Sequence, residues 1–107
     1  ANDENGNPIS KVGSYTGNGI SGLEITVGFQ PRFVIIKDIT SGSRNWLVFD
    51  TLRGWAAGND YELNLNKDEV QNNNNDFGAP TATGFTAEAV NADINASGHT
   101  YIYYAHA

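Results

Sequence analysis

Apolar positions along this chain fall in short clusters of β-branched and aromatic residues separated by Gly, Asn and Asp, and no helical or heptad period is sustained. The pattern predicts seven short strands: Val12 to Tyr15, Leu23 to Val27, Arg32 to Ile39, Trp46 to Asp50, Tyr61 to Leu65, Gly84 to Val90 and Thr100 to Ala105. In Leu23-Glu24-Ile25-Thr26-Val27 apolar and polar residues alternate strictly, so one face is wet and the other enters a core. Phe33-Val34-Ile35-Ile36 is apolar at both parities and predicts a central strand buried on both faces. Gly28 and Pro31 shape the turn that leads into it. The segment from Asp50 to Ala57 can make one helical turn, with Asp50 placed to cap it or to pair with Arg53, and Gly58 as its stop. From Asn66 to Pro80 the chain is polar and reads as an exposed loop, and residues 1–8 read as a flexible lead-in to a single domain over 9–107. Short strands joined by turns at this spacing predict an all-β fold, an antiparallel β-sandwich of jelly-roll type with seven or eight strands.

Composition narrows the function classes. The 107 residues suit one domain, and the formal charge of -6 repels phosphate, which disfavours nucleic acid and anionic membrane surfaces. No apolar run approaches the roughly 20 residues that span a bilayer, so membrane insertion is not expected. Without cysteine there are neither disulfides nor thiolate metal sites, and stability must come from packing or from assembly with other chains.

Candidate chemistry is sparse. His99 and His106 are the only side chains suited to act as a base at neutral pH, and on one strand their spacing sends them to opposite faces, so they read as a rim histidine and a terminal one. The carboxylates Asp38, Asp50, Asp60, Glu62, Asp68, Glu69, Asp76, Glu88 and Asp93 form no catalytic motif, and Asn72 to Asp76 lacks the pattern of a calcium loop. No cofactor and no metal are expected. Carbohydrate recognition needs an aromatic ring to stack on a sugar and polar neighbours to bond its hydroxyls. Trp46, Trp55, Tyr61 and Tyr103 supply rings, and Arg44, Asn45, Asn59 and Asp60 supply polar groups. Trp55, between Gly54 and Gly58, is the ring expected to be freest, and Asn72, Asn73, Asn74 and Asn75 extend the candidate ligand site. Asn95-Ala96-Ser97 fits a glycosylation sequon and reads as a turn before Gly98.

Three stretches carry a family likeness: Val27-Gly28-Phe29-Gln30-Pro31-Arg32-Phe33-Val34-Ile35-Ile36-Lys37, then Trp46 through Asp50-Thr51-Leu52-Arg53-Gly54-Trp55, and finally Gly98-His99-Thr100-Tyr101-Ile102-Tyr103-Tyr104-Ala105. In this order they resemble a small β-rich module of bacteriophage virion proteins, especially tail fibres and surface proteins of marine and cyanobacterial phages. The resemblance spans Tyr15 to Ala105. It implies a structural role on the virion surface without enzymatic activity, with Gly28, Pro31, Asp50, Arg53 and Gly54 as scaffold residues and Tyr101 to Ala105 closing the sheet. The expected function is a distal tail-fibre or receptor-binding domain that ends its polypeptide as a fibre tip and contacts a host polysaccharide, assembled as a homotrimer. The alternatives are a head decoration protein that binds the capsid and, further off, a carbohydrate-binding module of a secreted enzyme.

Overall fold

A computed structural model describes residues 2–42, 44–58, 60–66, 72–88 and 92–107. Its strands are β1 (Ser10–Thr16), β2 (Leu23–Thr26), β3 (Phe33–Asp38), β4 (Leu47–Asp50), β5 (Asp60–Asn64), β6 (Asn72–Asn75), β7 (Gly84–Ala87) and β8 (Thr100–His106). A 3-10 turn follows β4 at Thr51–Arg53, and α1 (Ala92–Asn95) is a single helical turn. The fold is all-β. One sheet has six strands in the order β1-β8-β3-β4-β5-β6, and β2 pairs with β7 in a second sheet, all antiparallel.

The two sheets close on a common core, which is what makes the molecule a small, unequal sandwich. Along β3 and β8 every second residue is buried: Val34 and Ile36 on one strand, Tyr101, Tyr103 and Ala105 on the other. Leu47 and Phe49 of β4 extend this inner face, and Ile25, Phe85 and Ala87 cover it from the smaller sheet. Phe85 packs edge-on against Tyr103 with ring centroids 5.6 Å apart, and Tyr15 stacks on Tyr101 at 5.0 Å. Such aromatic pairs add to the burial that drives sheet packing. The strands of the small sheet also approach closely, since a Cβ on Gly84 would lie 1.9 Å from the Ile25 carbonyl oxygen.

β3 is central, as its composition predicts, but it is covered on one side only. Phe33 and Ile35, on the outer parity, remain half-exposed because β2 and β7 pack on the opposite face. The polar stretch after Asn66 is also not all loop. Asn72–Asn75 forms β6 on the edge of the large sheet, with Asp60 opposite Asn75 and Glu62 opposite Asn72, and Phe77 beyond it is fully buried. Asn has low strand propensity, so the pairing comes from tertiary anchoring of this segment and not from its own composition. The helical turn after β4 is shorter than expected: Asp50 caps it by accepting from the Leu52 N–H at 2.8 Å, and Gly54, at φ +100°, ends it in place of Gly58. At the other end of the chain, residues 2–8 form a turn around Asp3, which accepts the N–H groups of Asn5 and Asn7.

Candidate functional site

The expected ligand residues do not converge. Trp55 is 2% exposed and packs between Phe49 and Phe85, at 6.0 and 6.2 Å between ring centroids, because the 3-10 turn folds the chain back over the core. Asp60 is fully buried and acts as a backbone acceptor: its Oδ1 takes the Ala56 N–H at 3.0 Å, and its Oδ2 takes those of Phe77 and Gly78 at 2.9 and 3.1 Å. Burial pushes its carboxyl up to about 6, against the pull of these three donors. It therefore fastens the loop after β4 and the segment after β6 to the start of β5. Tyr61 is exposed beside Gly54, Asn59 lies outside the described residues, and Asn72, Asn73, Asn74 and Asn75 contribute backbone pairing to β6.

The remaining polar candidates serve the scaffold. Gly28 takes φ +93° at the turn before β3, where Thr83 O accepts its N–H, and Pro31 is buried. Asp50 accepts an ion pair from Arg32 at 3.4 Å. Arg44 reaches Asp93 at 3.7 Å. Asp68 and Glu69 lie outside the described residues, and among those described no three His, Cys, Asp or Glu side chains group so as to hold a metal ion. The sequon Asn95 is buried, and its amide clamps the turn after β1: Oδ1 accepts the Asn18 N–H at 2.8 Å and Nδ2 donates to the Ile20 carbonyl at 2.9 Å. No described helix is long and apolar enough to cross a membrane.

His99 and His106 stand at opposite ends of β8. His106 meets the Tyr104 hydroxyl at 3.0 Å. His99 joins through Nδ1 to Oδ2 of the fully buried Asp38, at 2.7 Å, while Asp38 Oδ1 accepts the N–H groups of Thr40 and Ser41. Burial raises the Asp38 carboxyl, but the His99 contact and the two backbone donors outweigh it and hold the group below the ordinary carboxylate range. Asp38 thus favours the fold above the unfolded value near 3.8, and this contribution disappears as pH falls through the lower folded value. Removing the donor with His99→Ala is expected to cost about 2 kcal/mol at pH 6. Melting curves between about pH 3 and pH 7 should also show acid unfolding of the variant beginning at higher pH than in wild type, since the Asp38 carboxyl loses a partner. Coincident acid limbs would exclude this role for the pair.

The outer face of the six-stranded sheet has a different character. Register places Val12 beside Tyr104, Tyr104 beside Ile35, and Ile35 beside Val48, all on the face turned away from the core. β5 continues it with inverted alternation: Asp60 and Glu62 point inward and are buried, whereas Tyr61 is exposed and Leu63 lies opposite Val48. Val12 and Leu65 protrude, at 74% and 63% exposure, and Trp46 is 37% exposed. Val12, Ile35, Trp46, Ile102 and Tyr104 line a groove of about 190 Å³, and Leu65 and Asn66 continue its lining past Trp46. Polar groups near it are engaged internally: Asn66 donates to Asn45 at 3.1 Å, and Lys37 donates to the Asp38 and Arg44 carbonyls. Of the two tryptophans it is Trp46, not Trp55, that faces solvent.

Among the described residues this face offers contact surface and no reactive constellation. No curated protein matches the chain. No solved structure matches it either. A family model described as a domain of unknown function (DUF7483) matches residues 4–107, nearly the whole chain, and the chain belongs to that family.

Proposed function

We propose that the chain is a non-catalytic structural module of a virion surface, packed against other protein through the outer face of its six-stranded sheet. The observation that carries the contact reading is the apolar and aromatic composition of that face, where an antiparallel sheet facing only water would be polar. The virion setting rests on the resemblance of the three quoted stretches. A polysaccharide partner fits less well than protein, because a sugar needs donors and acceptors around the stacking ring, whereas Lys37 and the paired amides of Asn66 and Asn45 bond within the chain and Trp55 and Asp60 are buried. That weighting favours a capsid or fibre protein over a host glycan.

Purified virions of a phage that encodes the chain should contain it in many copies, and covalent footprinting should find Val12 and Trp46 protected in the particle but labelled in the isolated chain when it is kept dilute enough to be monomeric. Absence of the chain from such virions, or equal labelling in both states, would overturn this reading.

A further inference from the structure

We infer that the outer face of the six-stranded sheet pairs with the same face of a second copy of this chain about a two-fold axis. The inference rests on reading that face as a protein-contact surface and names what covers it.

Charge distribution is the first argument. The chain carries 12 acidic and 6 basic residues, so most approaches between two copies bring like charge together. Strands β1, β8, β3, β4 and β5 nevertheless direct only one carboxylate among the described residues to their outer face, that of Asp50, which is already paired with Arg32. The other carboxylates of these strands, Asp38, Asp60 and Glu62, point inward. Two copies can therefore meet here, and the acid excess stays apart. A partner of opposite charge would find little on this face to attract it.

Shape and size are the second. Five strands about 4.8 Å apart make a plate on the order of 20 Å on each side, so two copies would bury on the order of 800 Å² in total, the size of a weak and reversible contact. The most protruding apolar side chains, Val12 and Leu65, flank the groove lined by Trp46 and Ile102. A surface with its own ridges and groove can be self-complementary, and one such patch meeting its own copy closes as a dimer. A three-fold assembly would instead need two different patches. The expected homotrimer thus gives way to a dimer as the proposed assembly.

Sedimentation equilibrium of the 107-residue chain from about 1 to about 300 µM tests this. The expected result is a rise toward the mass of two chains. Ile102→Lys and Val12→Glu, which change exposed positions of the face, should each weaken association at least about tenfold while circular dichroism and the melting temperature stay near wild type. Ile20→Lys, equally apolar and exposed but in the turn after β1, should leave association unchanged. A single-chain mass throughout, a three-chain mass, or association indifferent to both face variants would overturn the inference. If the isolated chain is monomeric while Val12 and Trp46 are protected in virions, the second copy is excluded and the protein-contact reading stands. If the chain pairs through this face but is absent from virions, the pairing stands and the virion setting falls.

Discussion

Replacing Asp60 with alanine is expected to destabilise the fold by about 3–5 kcal/mol, because three backbone N–H groups would lose their acceptor in a site closed to water. Marginal stability of about 5–15 kcal/mol for a domain of this size makes that a large fraction of the total. Asp60→Asn should cost less, about 2 kcal/mol, since one amide oxygen can still serve one side while the NH2 group faces an N–H on the other. The two variants separate through pH. The folded carboxyl is raised to about 6, above the unfolded value of 3.8, so between these values the native state holds more protons and wild type loses stability as pH rises. The uncharged asparagine has no such slope, and its deficit should be widest at about pH 4 and below, shrink between about pH 4 and about pH 6, and level off above. Urea titrations at several pH values read this directly. A deficit under about 0.5 kcal/mol for the alanine variant would show that the three donors find other partners.

Trp55→Ala should remove about 3–5 kcal/mol, the range for a large aromatic taken from a closed core. The ring is enclosed by Phe49 and Phe85, and Phe49 in turn leans on Phe77 at 5.2 Å, so the cavity would open where β4, β7 and the segment after β6 meet. Trp46→Ala on the outer face should change monomer stability by no more than about 1 kcal/mol. Denaturant unfolding of both variants under dilute conditions, where self-association cannot contribute, gives the comparison. Equal losses would mean that the outer ring is as firmly packed as the inner one.

Much of the fold was legible because strand alternation is a local signal. All seven expected strands are present, with ends shifted by a residue or two or more, and β2 shows the strict polar-out pattern that Leu23 to Thr26 announces. β6 was not legible, since four asparagines carry no strand preference and their pairing depends on Asp60, more than ten residues earlier, anchoring Phe77 and Gly78. The site was read less well. Glycines on either side of Trp55 suggested an open loop, but Gly54 at φ +100° is what lets the chain turn inward and bury the ring. β5 misleads in another way. Its Tyr61 and Leu63 look like a core face and its Asp60 and Glu62 like a solvent face, yet the orientation is reversed, because buried backbone donors claim Asp60. One signal for the outer face was present from the start: Phe33 to Ile36 is apolar at both parities, and a single-chain sandwich of this size covers only one of them.

The buried amide of Asn95 bears on how the chain can be produced. Its Nδ2 donates to the carbonyls of Ile20 and Ala87, and its Oδ1 accepts from Asn18, so the folded domain has no room for a sugar on that nitrogen. In a eukaryotic secretory host the sequon meets the glycosylation machinery during synthesis, before those bonds exist. A glycan attached there would block the clamp between the turn after β1 and α1, and glycosylated chains would accumulate as folding failures. A bacterial cytoplasm, which lacks this modification, leaves the nitrogen free to close the fold.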